Sequence, residues 1–564
     1  MMDGSTEFAL RDPAEVMRLS RLGSLHQCRL SFMRVLMRRM AAEGWAFSVP
    51  VFDIDEAGVG HAVYSAKGPE RTYSLVAFAH DLPDDQRSDR VIAQAWDTTY
   101  ALFDGVPSAD DIERLSRNVP VQEAGRVDAT ELTLSRANRS VRLWAHVVDA
   151  LAKGEQPDAA QIDAVGYLMR TTAVYGSGKF GAADRDAIAG RGEMAGPFQA
   201  EMLTVYLIRA FVRDLAEHMA RVKGGAGAAR MSDDIARRLG IGNSTGLGMA
   251  PFIVNHPVLF NNWIAARETA IARVRALPRA TPEEAALFRR LLAASGVSVD
   301  RWHSEHPVQV AKLATLRHDL AALAAHIDGA DLCEDYPWDR LMAWTRAHLE
   351  EEAQELLASL ILEPYAALVD DLAREMGDDD NAFRIDGAQT VAEARGQIEG
   401  AFGWATGIDW TAPEHCARAW YVSAEKLEPR LGERFEEPVE PYEQPLAPAR
   451  DAMAARAALA DWDDAAPVAD FLLAHPEHRH TIRRAQRSDR APYAEIRDNT
   501  IAAALLPIDM LRAKLSFFGA TRFDPRSDRW VRICMYAGAP YPDALTPETC
   551  DLWVYPGGAD EPLP

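Results

Sequence analysis

The chain has 564 residues, 48% of them hydrophobic and 26% charged, a balance typical of folded globular proteins that excludes wholesale disorder. Its 84 acidic residues against 61 basic ones leave a net charge of −23, a field that repels nucleic acid and anionic membrane. No nucleic-acid partner is therefore expected, and an anionic ligand needs cations gathered locally.

In chain order, residues 13–43 read as one helix carrying Arg18, Arg21, Arg29, Arg34, Arg38 and Arg39, docked on the protein or on another subunit rather than on a membrane. From 45 to 104 the segments "WAFSVPVFDID", "HAVYSA", "RTYSLVAFAH" and "VIAQAWDTTYALF" are rich in aromatic and β-branched residues. Turn-like stretches separate them, which predicts three or four antiparallel strands.

Helical patterns dominate from about 108 to 425. In "DATELTLSRANRSVRLWAHVVDALAKG", Asp128 and Glu131 resemble a capping box. At 100° per residue, Leu132, Leu143, Trp144, Val147 and Leu151 mark a buried side, with Arg136 and Ser140 on it and Arg139 beside it. The next loop, "AVYGSGKFGAADR", departs from a P-loop because Lys179 is followed by Phe180 and Ala173 stands where the first glycine belongs. It reads as a corner between helices or as a ligand loop in which Gly178 frees the backbone and Lys179 adds charge. Glu193 precedes, and Glu201 sits within, a helix whose apolar stripe is Val205, Ile208, Val212, Leu215 and Met219. Each is a candidate general acid or base.

The glycine-rich "LGIGNSTGLGMAPF" predicts a loop with Gly240 closing one helix and Asn243, Ser244 or Thr245 capping the next, a place where free amides can receive an anion. His256 in "VNHPVLFNNW" is a histidine candidate for acid/base work, or a cap before Pro257. Leu313, Leu316, Leu320, Leu323 and Ile327 recur at three-and-four spacing before Gly329 and define a firm amphipathic helix. His303, Glu305 and His306 read as a solvated cap, and His348, Glu351 and Glu355 as a solvated acidic face, so no metal site is expected.

Residues 425–450, rich in proline and glutamate, read as an extended connection. "WVRICMY" alternates like a strand able to complete the N-terminal sheet, and RSDR, present three times, reads as a recurring turn.

Five widely spaced cysteines, Cys28, Cys333, Cys416, Cys534 and Cys550, form no CxxC pair and fit free thiols. The acidic start and the lack of a long uncharged apolar run point to the cytoplasm and to no membrane span.

These readings predict an α+β protein, predominantly α-helical: a large helical body with a small antiparallel sheet near the N-terminus, possibly completed by a C-terminal strand. The regions are 1–107, 108–424, 425–450 and 451–564. The expected function is a cytoplasmic enzyme acting on a small anionic metabolite, a carboxylate or phosphate, by general acid/base chemistry, with lyase, isomerase and hydrolase all open. Arg136, Arg139, Ser140, Lys179, Gly178, Asn243, Ser244 and Thr245 would bind the ligand; Glu201, Glu193 and His256 would do the chemistry. The alternative is a non-catalytic interaction or scaffold protein whose inward charges are structural ion pairs. The cofactor is left unassigned, and chain size suggests a homodimer.

Overall fold

The computed structural model describes residues 8–83, 95–121, 128–171, 188, 190–245, 257–304, 307–377, 383–411, 447–497, 512, 514–524, 531–551 and 553. One nine-stranded mixed sheet runs through it. Strands β1 (Ala46–Ile54), β2 (Gly60–Lys67), β3 (Thr72–Ala79), β4 (Thr98–Asp104), β5 (Glu131–Arg139) and β6 (Tyr167–Thr171) pair antiparallel in sequence order. β7 (Gly240–Thr245) joins β6 in parallel, and β9 (Val531–Met535) closes on β7, with β8 (Arg522–Asp524) outermost.

The remaining regular structure is helical: α1 (Pro13–Val16), α2 (Phe32–Ala42), α3 (Ala109–Asn118), α4 (Trp144–Ala152), α5 (Ala159–Val165), α6 (Gln199–Gly224), α7 (Asp233–Arg238), α8 (Pro257–Arg275), α9 (Pro282–Asp300), α10 (Pro307–Asp328), α11 (Pro337–His348) and α12 (Glu351–Leu360). Beyond them lie α13 (Ala366–Val369), α14 (Val391–Phe402), α15 (Ala447–Leu459), α16 (Val468–Ala474) and α17 (Arg479–Arg490). No described helix is long and apolar enough to cross a membrane.

The expectation of a small N-terminal sheet is overturned. The sheet draws strands from residue 46 to residue 535, and the C-terminal strand adds beside β7 rather than beside the first four. The four strands expected between 45 and 104 are present, but five more extend them.

Two strands hidden in helix-like or loop-like sequence explain the difference. The segment 128–154 is not one helix: Thr133 and Ser135 alternate with Leu132 and Leu134, a period of two that makes β5, and only Trp144–Ala152 is helical. Asp128 and Glu131 do bond, Asp128 N–H to the Glu131 carboxylate at 2.9 Å, but they form a turn that leads into a strand. The expected cap at 240–245 is β7, where glycine serves packing: a Cβ on Gly242 would lie 2.5 Å from the Tyr167 ring. The arginine-rich span 13–43 breaks into two helices around an irregular stretch. The RSDR at 487–490 ends α17 rather than forming the expected turn, while the Pro/Glu-rich connection lies largely outside the described residues.

α6 crosses one face of the sheet. Its Phe211 ring meets Tyr64 and Tyr100 edge-on at 6.0 and 5.8 Å, and Thr204 bonds Thr133 of β5 at 2.7 Å. α6 is buried around most of its girth, so its polar groups need partners: the Arg209 guanidinium donates to the carbonyls of Leu239 (2.7 Å) and Ala539 (2.9 Å). Each large apolar side chain buried here contributes roughly 1.5–3 kcal/mol. The opposite face carries Val63, Val76, Ala101 and Leu134, covered by Leu115 of α3. A smaller cluster built on Val391, Ile398, Leu459 and Ile482 unites α14 to α17.

Arg11, Arg21, Arg29 and Arg34 turn inward. Arg11 forks onto Glu268 and Glu355, and Arg21 and Arg267 also reach Glu355. Arg34 forks onto Glu363 at 2.5 and 2.7 Å, and Arg29 onto Asp370. Glu355 is fully buried, so the solvated acidic face expected at 348–355 is wrong for it: segments more than three hundred residues away supply its cover. Burial disfavours the Glu355 and Glu363 carboxylates, but the facing arginines outweigh it and hold both well below the usual carboxylate range.

Candidate functional site

Alternation along β5 decides where the sequence-derived residues go. Thr133 faces α6, so Ser135, Ala137 and Arg139 share that face while Leu134, Arg136 and Asn138 take the other. Arg136 and Arg139, neighbours at three residues on a helix, therefore point to opposite sides of a strand. They do not fork a common ligand, and the sheet stands between Arg136 and Glu201 on α6. Arg139 lies 3.7 Å from Asp97 and over the Trp144 ring. Ser140 turns the chain out of β5, its N–H donating to the Leu168 carbonyl at 2.7 Å.

Glu201 lies buried in the first turn of α6. Glu193 is buried elsewhere, accepting from the Tyr73 hydroxyl at 2.7 Å; Gly68 makes room for it, since a Cβ there would lie 2.5 Å from its carboxylate. Asn243 is buried in β7, and Ser244 and Thr245 are backbone members of the same strand whose side chains lie outside the described residues. Gly178, Lys179 and His256 also lie outside the described residues.

Around Arg136 the structure assembles a different set. Its guanidinium carbon stands 4.1 Å above the Trp96 ring, and its Nε has no hydrogen-bond acceptor among the described residues. No carboxylate among the described residues lies within ion-pair distance, and burial alone pushes its pKa down. Asn138, on the same face, holds the backbone on either side of Trp96: its Oδ1 accepts from Asp97 N–H at 2.8 Å and its Nδ2 donates to the Ala95 carbonyl at 3.1 Å. Thr99 of β4 stands directly opposite Arg136 in the ladder, with its hydroxyl 3.0 Å from Nε2 of His80. Burial pushes the His80 imidazole down, against the pull of the Asp97 charge.

His80, Thr99, Arg136, Trp96 and Asn138 thus form one polar and aromatic patch next to the apolar part of the face that α3 covers. Sequence reasoning missed His80, Trp96 and Asn138. The signal for His80 was present: it follows "LVAFA" two residues after Phe78, so alternation places it on the Phe78 face. Chemically, the patch offers a guanidinium backed by an indole, and beside it an imidazole whose protonated form burial disfavours.

A cleft of about 390 Å³ lies elsewhere, between α9 and α10, lined by Leu292, Ala293, Gly296, Leu320 and Ala324 with Arg317 at its rim. It contains neither Arg136 nor Glu201. Among the described residues no three His, Cys, Asp or Glu side chains are grouped to hold a metal ion. Comparison with known proteins finds no matching family model, no matching curated protein and no matching solved structure.

Proposed function

We propose that the chain is a cytoplasmic enzyme that binds a small carboxylate or phosphate metabolite at Arg136, on the sheet face away from α6, and works on it by general acid/base chemistry. The supporting observation is that Arg136 is half-buried yet faces an indole and no described carboxylate, whereas Arg11, Arg29, Arg34, Arg114 and Arg191 are each forked onto an acid. A desolvated guanidinium without an anion is poised to take one from solution, and its planar donors suit carboxylate and phosphate oxygens. The role first assigned to Arg139 and Glu201 beside it is dropped on geometric grounds.

The test is a thermal-shift screen against carboxylate and phosphate metabolites. A ligand at ~100 times its Kd adds about 2.7 kcal/mol of stability. Arg136→Met is expected to abolish the shift while leaving the unliganded melting curve in place. A wild-type chain that no anion stabilises, or a shift that survives in Arg136→Met, defeats the proposal.

The second reading, a scaffold protein with structural ion pairs, is supported by the Glu355 and Glu363 clusters, where inward arginines are matched by acids. It predicts no anion-dependent shift.

A further inference from the structure

We infer that the ligand of the Arg136 site is a dianion with its two charged ends separated by a short chain, one end held by Arg136 and the other by protonated His80. The inference rests on the anion-site reading and gives it a ligand class. The ladder sets the spacing: Arg136 is on β5, Thr99 opposite it on β4, and His80 follows the end of β3 with its ring against Thr99. Strands lie ~4.8 Å apart, so the two cationic groups arise about two strand spacings apart on one face. Thr99, only 1% exposed, forms the floor between them. A single carboxylate on Arg136 does not span that gap; a molecule with an acceptor at each end does.

The Nε2–Thr99 contact fixes the ring and leaves Nδ1 with no partner among the described residues. Asp97 at the entry to β4 and Thr99 of β4 face the imidazole, Asp81 follows it in sequence, His61 of β2 lies across Phe78, and Arg136 stands on the far side of Thr99 in the ladder. Asp97 is already engaged by the Arg139 backbone N–H at 2.9 Å, which leaves the imidazole able to pair with an incoming anion. Burial keeps free His80 neutral around neutral pH; an anion set against it favours the imidazolium, so affinity rises as pH falls.

The experiment uses the full chain with ethane-1,2-disulfonate and methanesulfonate, probes whose charge stays constant over the range, with affinities measured by calorimetry at ~pH 8 and ~pH 5.5. Ethanedisulfonate is expected to bind at least ~10-fold tighter at the lower pH, a gain that His80→Gln removes. Methanesulfonate is expected to bind through Arg136 with less than ~2-fold pH dependence. Because His80→Gln can perturb the strand end, the wild-type His80 ring is also titrated by NMR. Its midpoint must move to higher pH on adding ethanedisulfonate. If both probes need Arg136 but the disulfonate shows no pH-dependent gain and the ring midpoint stays put, the dianion inference falls and the anion site stands. If neither probe binds at ~10 mM, well above ordinary metabolite Kd values, the site itself falls.

Discussion

The N-terminal arginine cluster and the Arg136 patch set the same side chain in two kinds of burial. Around Glu355, guanidinium groups from residues 11, 21 and 267 converge on one carboxylate at 2.7 to 3.0 Å. Around Arg136, an indole stands where that carboxylate would be. A buried charge is costly unless something compensates it, by several kcal/mol per ion. In the first region the fold supplies the compensation itself and ties the chain's beginning to α8 and α12. In the second the compensation is incomplete, which separates a structural arginine from one left for a ligand.

The contrast breaks most forcefully at Glu355. Glu355→Gln removes the buried charge that three arginines share and is expected to cost ~3–5 kcal/mol, read as a lower urea midpoint by circular dichroism. An unchanged midpoint would show that these pairs do not hold the N-terminal segment. Asn138→Ala tests the other side with a smaller effect. It removes two hydrogen bonds that set Trp96, costing ~1–3 kcal/mol. It should also weaken any anion held at Arg136, and retained affinity would mean that the indole need not be fixed.

The smallest effect is a pH dependence inside the arginine cluster. Burial pushes the His26 imidazole below its ordinary value, against the pull of Glu363 3.2 Å away. The unfolded chain therefore takes up a proton on this group at higher pH than the folded one does. The stability it contributes is fully present above ~6.5 and is lost as pH falls toward the depressed folded value. Urea midpoints at ~pH 7.5 and ~5.5 should differ less in His26→Gln than in the wild type. Equal differences in the two proteins would remove His26 as the cause. Glu355 and Glu363, held far below the usual carboxylate range, keep their contribution across this window and lose it progressively as the pH falls below ~4.3, the value in the unfolded chain.

What the sequence disclosed follows from how local each determinant is. β1 to β4 carry their own alternation and turns, and α10 carries its own leucine stripe and a proline at its start, so both are legible. β5 was not: "LSRANRSVRLW" spaces arginines as a helix would, and only pairing with β4 and β6 makes the two-residue period decisive. Reading it as a helix set Arg136 and Arg139 together and Glu201 before them, so the site inherited the error of the element. Glu355 was misjudged for a related reason, since nothing within its own helix reveals that Arg11 and Arg21 will cover it. Arg136 itself was picked out, but its companions come from the ends of β3 and β4, where burial depends on the whole sheet.

The interleaving of β7 between β6 and β9 also bears on how the protein is made. β7 is translated almost three hundred residues before the strand that completes its outer edge. Throughout that interval its backbone amides and carbonyls on that side have no ladder partner, and an open strand edge is a template for pairing with other chains. Pairings so distant along the chain form slowly. A nascent or C-terminally clipped molecule thus carries an adhesive margin that the finished one hides.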